Sequence, residues 1–265
     1  MSDVVTLLDA AHAAVSADPD NEALRLRFYE RLADGEMILL LEREAVGEAV
    51  EPRVFEIEGG PVVLVFDREE RLASFSGGIA PYAALPGRVI AGMLKGQGIG
   101  LGVNLGVAPS SMLLPAEAMD WLAMALEGEP EAAEAVPERF VVPKVPEALV
   151  TGLDAKLAKA GGLALSAVLA GVVYKGGRRG HILAFVDAMP GAEAALARAV
   201  REALVFSGLE AGELDVVFLR SADAAVAALG RVGLRFDLPE PEVPEGGATP
   251  GAAPGMDPAR PPKLR

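Results

Sequence analysis

Two short stretches of this chain carry the side chains from which a polar ligand site could be built. One is Ser74-Phe-Ser-Gly-Gly-Ile-Ala-Pro-Tyr82. The other is the glycine-alternating run Gly96 to Gly106, followed by the loop Val107-Ala-Pro-Ser-Ser111. Together they offer the hydroxyls of Ser76, Ser110 and Ser111, the amide of Asn104, the phenol of Tyr82, and permissive backbone at Gly77, Gly78 and Gly106. Such a crevice could serve an enzyme acting on a small polar metabolite. A serine becomes a nucleophile, however, only with His, Asp, Glu or Lys within about 3 Å of its hydroxyl.

Known motifs do not supply that arrangement. No GxGxxG can be drawn through Gly96 to Gly106, and the chain has no GxxxxGK[ST]. Gly171-Val-Val-Tyr-Lys-Gly176 opens like a phosphate loop but continues into Gly177 and Arg178. Ser110-Ser111 is not a GxSxG elbow. Ser76, before two glycines, reads as a turn residue, and Tyr82, after Pro81, as a half-buried anchor. Asp67-Arg-Glu-Glu-Arg71 reads as a solvated charge run between strands. His181 and Asp187 fall in one expected strand, about 20 Å apart along it, too far for a dyad.

Composition narrows the chemistry further. The 265 residues contain no cysteine, which removes disulfides, thiolate nucleophiles and thiolate metal sites together. The two histidines, His12 and His181, lack metal-ligand spacing. A formal charge of −14 would repel a phosphate backbone, so no nucleic-acid partner is expected. The basic group Lys175, Arg178 and Arg179 flanks Gly176-Gly177 and reads as a solvated hairpin tip. The longest nearly uncharged apolar run, Gly161 to Tyr174, is too short to span a bilayer. The expectation is a cytoplasmic protein with no membrane partner, no cofactor and no metal, whose partner is another protein or a small molecule.

The elements that would position the loops follow from periodicity. Val4 to Val15 reads as a helix capped by Ser2, and Asp18-Pro19 as the start of a second, together a helical hairpin. Met37–Leu41, Arg53–Ile57, Val62–Phe66, Leu72–Phe75 and Ile99–Leu105 read as strands. Pro86 and Pro115 each open a helix. The strand Leu72–Phe75, the helix from Pro86 and the strand Ile99–Leu105 would make a right-handed βαβ unit. The loops 76–82 and 106–111 would then emerge on one side, where ligand crevices open. In the last strand Ile99, Leu101, Val103 and Leu105 share a face, leaving Gly98, Gly100 and Gly102 bare on the other. That bare face either accepts a tightly packed helix or touches a ligand.

The Glu- and Pro-rich stretch from Gly128 to Pro146 marks a boundary. The expected organisation is a first domain over 1–128, a linker over 129–146, a second domain over 147–238, and a disordered Pro/Gly-rich tail over 239–265. In the second unit Glu147–Ala160, Ala192–Phe206 and Ala222–Leu229 read as helices. Leu163–Tyr174, His181–Asp187, Leu214–Leu219 and Val232–Phe236 read as strands, with Phe140-Val-Val142 a potential bridging strand. The fold class is α/β to α+β: two α/β units, the first opened by a helical hairpin.

These residues resemble the SseB family, named for enhanced serine sensitivity. Its N-terminal domain carries a Phe-Thr-Ser-like motif, a helix, and an apolar strand ending in Asn-Pro-Gly. Here Phe75-Ser76-Gly77 and Asn104-Leu105-Gly106 stand at those positions. Residues 147 to 236 are similar to the family's second domain. A sulfurtransferase sharing the name would need a catalytic cysteine, and a filament protein sharing it would show long heptads. The family brings no assigned reaction, so the resemblance implies a non-enzymatic binding or regulatory protein, with a link to serine or amino-acid metabolism carried by the name alone. A protein-interaction scaffold using the second unit's hairpin is the further alternative.

Overall fold

Thr6 starts the first helix, α1 (Leu7–Ala17). Its hydroxyl accepts from the Asp9 N–H while Asp9 accepts from the Thr6 N–H, a reciprocal capping box. Ser2, expected to cap this helix, lies outside the described residues. The computed structural model describes residues 5–45, 50–127, 137–208 and 214–240. The second helix, α2 (Glu22–Asp34), is capped by Asn21 rather than Asp18. Asp18 instead closes α1, its N–H donating to the Ala14 carbonyl. Asparagine and aspartate cap equally well, and the helix begins where it carries Phe28 and Leu32, one turn apart, into the core.

The first sheet has the order β4-β1-β3-β5-β6, with β2 also pairing β3. Its strands are β1 (Glu36–Leu40), β2 (Val54–Ile57), β3 (Gly60–Phe66), β4 (Tyr82–Pro86), β5 (Gly100–Val103) and β6 (Met112–Leu114). Alternation covers both faces. Met37, Leu39, Val63, Val65, Leu101 and Val103 pack under α1, α2, α4 (Gly87–Leu94) and α5 (Ala116–Glu127). Ile38, Leu40, Val62, Leu64 and Phe66 pack with Leu72 on the opposite side.

Leu72–Phe75 is not a strand. It lies in a helix, α3 (Glu69–Ser76), with two acidic residues in its first turn and Gly77 in the left-handed conformation at its end. The expected βαβ unit is therefore displaced. The parallel partner of β5 is β3, and the crossover between them contains α3, β4 and α4.

The bare face of the glycine strand is filled by packing, though not by a helix. A Cβ at Gly100 would lie 2.5 Å from the Leu114 carbonyl oxygen. One at Gly102 would lie 2.6 Å from side-chain atoms of Leu64 and Leu105. Gly98 precedes the strand with a positive φ and nothing nearby.

The second sheet has the order β10-β9-β8-β11, with β7 also on β8. β7 (Pro137–Val141) falls within the stretch read as a linker. β8 (Ser166–Tyr174) is buried along its whole length. It pairs β11 (Leu234–Asp237) along its first half and β7 along its second. β9 (Arg179–Val186) returns antiparallel across Gly176-Gly177, and β10 (Leu214–Leu219) lies parallel to β9. Helices α6 (Glu147–Leu157) and α7 (Glu193–Phe206) cover one face, and α8 (Ala224–Leu229) contributes Leu229 to the other. The mixed α/β class, with two sheets and an opening helix pair, is as the sequence indicated. Residues 241–265, most of the expected tail, lie outside the described residues, as do 128–136. No described helix is long and apolar enough to cross a membrane.

Candidate functional site

Parallel β3 and β5 end side by side, and their outgoing residues meet. Asn104 leaves β5 with φ 48°, its N–H donating to Val65 O at 2.9 Å. Its side-chain oxygen accepts from the Asp67 N–H at 3.1 Å, and its amide nitrogen donates to Ser110 Oγ at 2.8 Å. Ser110 donates to Asp9 Oδ1 at 2.5 Å. Arg71 then clamps two carboxylates, reaching Asp9 Oδ2 at 2.5 Å and Asp67 Oδ1 at 2.7 Å. Thr6 completes the knot by donating to Asp67 Oδ2 at 2.6 Å.

This knot is buried: Asn104 and Ser110 are fully enclosed, and Arg71 is 5% exposed. Burial alone would push the Asp9 carboxyl up. The bonds from Arg71, Ser110 and the Thr6 N–H overcome that and hold it well below the usual carboxylate range. The run Asp67 to Arg71 is thus not a solvated hairpin. Arg71 faces inward from the first turn of α3 and meets Asp67, which lies in the bend just before that helix.

Of the sequence candidates, only Asn104 and Ser110 come together in the knot. Gly106 and Ser111 sit above it in an exposed turn, where the Gly106 N–H donates to Ser111 Oγ at 3.1 Å. Ser76, Gly77 and Gly78 lie at the exposed end of α3. There Ser76 Oγ donates to the Gly78 carbonyl at 2.5 Å. Tyr82 begins β4, more exposed than the half-buried anchor expected, and the Glu69 carboxylate beside it pushes its phenol upward. His12 meets Phe28 edge-on in the helical layer. Among the described residues no group of three or more ligating side chains could hold a metal ion.

A second charged cluster, absent from the sequence reading, lies where α2 and α4 meet α6 and α7. Arg88 grips Glu202 with two bonds, at 2.9 and 3.1 Å, and Asp34 with one at 2.5 Å. Lys156 donates to both Asp34 oxygens and to Glu202 Oε2, each at 2.9 Å. Burial opposes ionisation of Asp34 and Glu202, yet Lys156 and Arg88 draw both carboxyls down. Phe206 of α7 packs into the core of the first sheet beside this cluster. Gly87 admits the close approach of α4 to α2, since a Cβ there would lie 1.9 Å from the Leu32 carbonyl oxygen. Beside the cluster, α2, α6 and α7 line a pocket of about 150 Å3 that opens to solvent, with Arg27, Glu30, Arg31, Gly152, Ala203 and Phe206 among its walls.

The sequence held partial signals for the first cluster. Thr6-x-x-Asp9 is a capping pattern, and Asp67 and Arg71 are an i,i+4 pair. The second joins residues more than a hundred positions apart, for which local spacing gives no sign.

No curated protein and no solved structure matches this chain. Residues 8–121 match the family described as the SseB protein N-terminal domain. That span runs from α1 to α5 and includes Asp9, Asp67, Arg71, Asn104 and Ser110. Over that span, and over that span alone, the chain is similar to the SseB protein N-terminal domain.

Proposed function

We propose that the protein is a binding or regulatory protein rather than an enzyme, acting in the cytoplasm, with the link to serine and amino-acid metabolism that the matched family's name implies. One observation carries the reading: the serine hydroxyls of the candidate loops are committed to structural bonds. Ser110 donates to Asp9 and accepts from Asn104 without access to solvent. Ser111 holds a turn, and so does Ser76. A hydroxyl used in this way positions backbone. A nucleophile instead needs an adjacent base and a free approach.

The test is incubation of the full chain with a pool of small polar metabolites that includes the free amino acids. Mass spectrometry then reads both the protein-bound fraction and the solution. A binding protein retains a molecule unchanged through gel filtration, and the pool does not alter with time. Time-dependent conversion that disappears in Ser111→Ala would establish an enzyme instead.

A further inference from the structure

A bulge aligns two arginines at the hairpin end of the second sheet. β7 carries one extra residue between Pro137 and Arg139, so Arg139 rather than Glu138 stands opposite Val173 of β8. On the other side of Val173 stands Arg179 of β9. Directly opposed residues share a face, so the two guanidinium groups flank Val173 on one side of the sheet. It is the side on which Ala167 and Leu169 meet α6 and α7, but Val173 is not part of that core. One row inward, His181 of β9 lines a small pocket of about 30 Å3 together with Lys144 and Leu214.

The charges at this end are not balanced. Asp215 already accepts from the Tyr174 phenol and from Arg178, whose guanidinium lies over the Tyr174 ring at 4.2 Å. Arg139, Lys144, Lys175 and Arg179 are all exposed, and among the described residues none of them forms a salt bridge. Glu138, the adjacent acid, sits in the bulge itself and pairs with none of them. The hairpin alone would supply only Lys175, Arg178 and Arg179 as a solvated tip. Arg139 and Lys144 come from a separate stretch of chain, and the bulge is what turns Arg139 to the face of Arg179. Cations gather here on a chain whose formal charge is −14.

We propose that this end of the second sheet docks an extended acidic segment of a partner protein, two of its carboxylates lying on Arg139 and Arg179. The proposal rests on the binding reading above and names the kind of partner. Charge complementarity selects the occupant: the acidic remainder of the surface repels such a segment and leaves this end to attract it. Spacing sets its form. Arg139 and Arg179 stand two strands apart, about 10 Å. Residues three apart in a polyproline II segment lie on one side, about 9 Å apart. The competing occupant is the chain's own stretch before β7, which contains Glu129, Glu131 and Glu134.

The experiment is fluorescence anisotropy of the full chain titrated into a labelled Glu-Pro-Pro-Glu-Pro-Pro-Glu peptide, beside the same peptide with every Glu replaced by Gln. Saturable binding is expected for the acidic peptide alone, weakening as salt is raised above about 0.05 M. Joint replacement Arg139→Gln and Arg179→Gln should lower affinity at least about tenfold. Both side chains are exposed, so the variant should melt as the parent does. Arg220→Gln removes an exposed arginine at the opposite end of the sheet and should leave binding unchanged. No saturable binding of the acidic peptide, equal binding of the neutral one, or unchanged affinity in the double variant would each overturn the proposal. Binding that appears only after Glu129, Glu131 and Glu134 are replaced by Gln would make the chain's own stretch the occupant and overturn it likewise. If a metabolite is retained unchanged by the protein but the acidic peptide does not bind, the binding reading stands and this surface falls. Conversion of metabolites would sink the binding reading without touching the peptide titration.

Discussion

Lys156 and Asp34 are 122 residues apart in the chain and meet through both carboxylate oxygens at 2.9 Å. The contact joins α6, which packs on the second sheet, to the end of α2, which packs on the first. Replacing Lys156 with Met would leave Asp34, Glu202 and Glu30 facing one another without their central cation. Breaking a buried pair in this way costs about 3–5 kcal/mol, a large share of a typical total of about 5–15 kcal/mol. Lys159→Ala removes an exposed partner of the same Asp34 and should cost no more than about 1 kcal/mol. Urea denaturation of the two variants beside the parent measures both.

The two charged clusters govern behaviour in acid. The carboxyls of Asp9, Asp34 and Glu202 are all depressed in the folded chain. Their contribution is complete above about pH 4, where the unfolded chain's carboxyls have ionised. It is lost as pH falls through the depressed folded values. The urea midpoint should therefore drop steadily below about pH 4, and more shallowly in Asp9→Asn, which is less stable at pH 7 to begin with. Glu30 runs the other way. Its folded value is raised, so the stability its neutral form carries is present at low pH and lost as pH rises through that value. Glu30→Gln should be at least as stable as the parent at pH 7, with the difference closing toward about pH 4.

The glycine strand gives a steric test. Gly100→Val places a branched side chain against the Leu114 carbonyl oxygen and Val62, where overpacking costs about 1–3 kcal/mol. Gly78→Ala, in open space, should stay within about 0.5 kcal/mol of the parent. Thermal melts of the pair separate a packed face from an open one.

What could be read from the sequence, and what could not, follows the range of the forces involved. The alternation of Met37 to Leu41 and of Val62 to Phe66 marks strands because side chains repeat every two residues. Leu72–Phe75 is too short for its period to decide, and only Gly77, in the left-handed cap, betrays a helix. That misreading moved the parallel partner of β5 from β3 to α3. It also drew Ser76 to Gly78 into a site to which Asp67 and Arg71 have the better geometric claim. Asn104 and Ser110 were legible because the end of a parallel strand is where polar groups converge, whichever strand is its neighbour. Arg88, Lys156 and Glu202 were not, since their pairing exists only once two sheets have formed and met.

We propose that residues 1–128 and 147–238 are two folding units. Cutting the chain between 128 and 136 should then leave two folded pieces. Arg88–Glu202, Lys156–Asp34 and the seating of Phe206 should hold them together, so that they co-elute in gel filtration at neutral pH. The same cut in Lys156→Met should let them elute separately. Pieces that unfold when cut would mean one continuous core.

The most direct test of the account is the reactivity of the loop serines. A fluorophosphonate probe reacts with activated serine nucleophiles, and peptide mass spectrometry locates the adduct. With Ser110 enclosed between Asp9 and Asn104, Ser111 holding the Gly106 turn and Ser76 bonded to the Gly78 carbonyl, none should label above the level of the unfolded chain. Stoichiometric labelling of Ser76, Ser110 or Ser111 that is lost on unfolding would contradict the account and make this protein an enzyme.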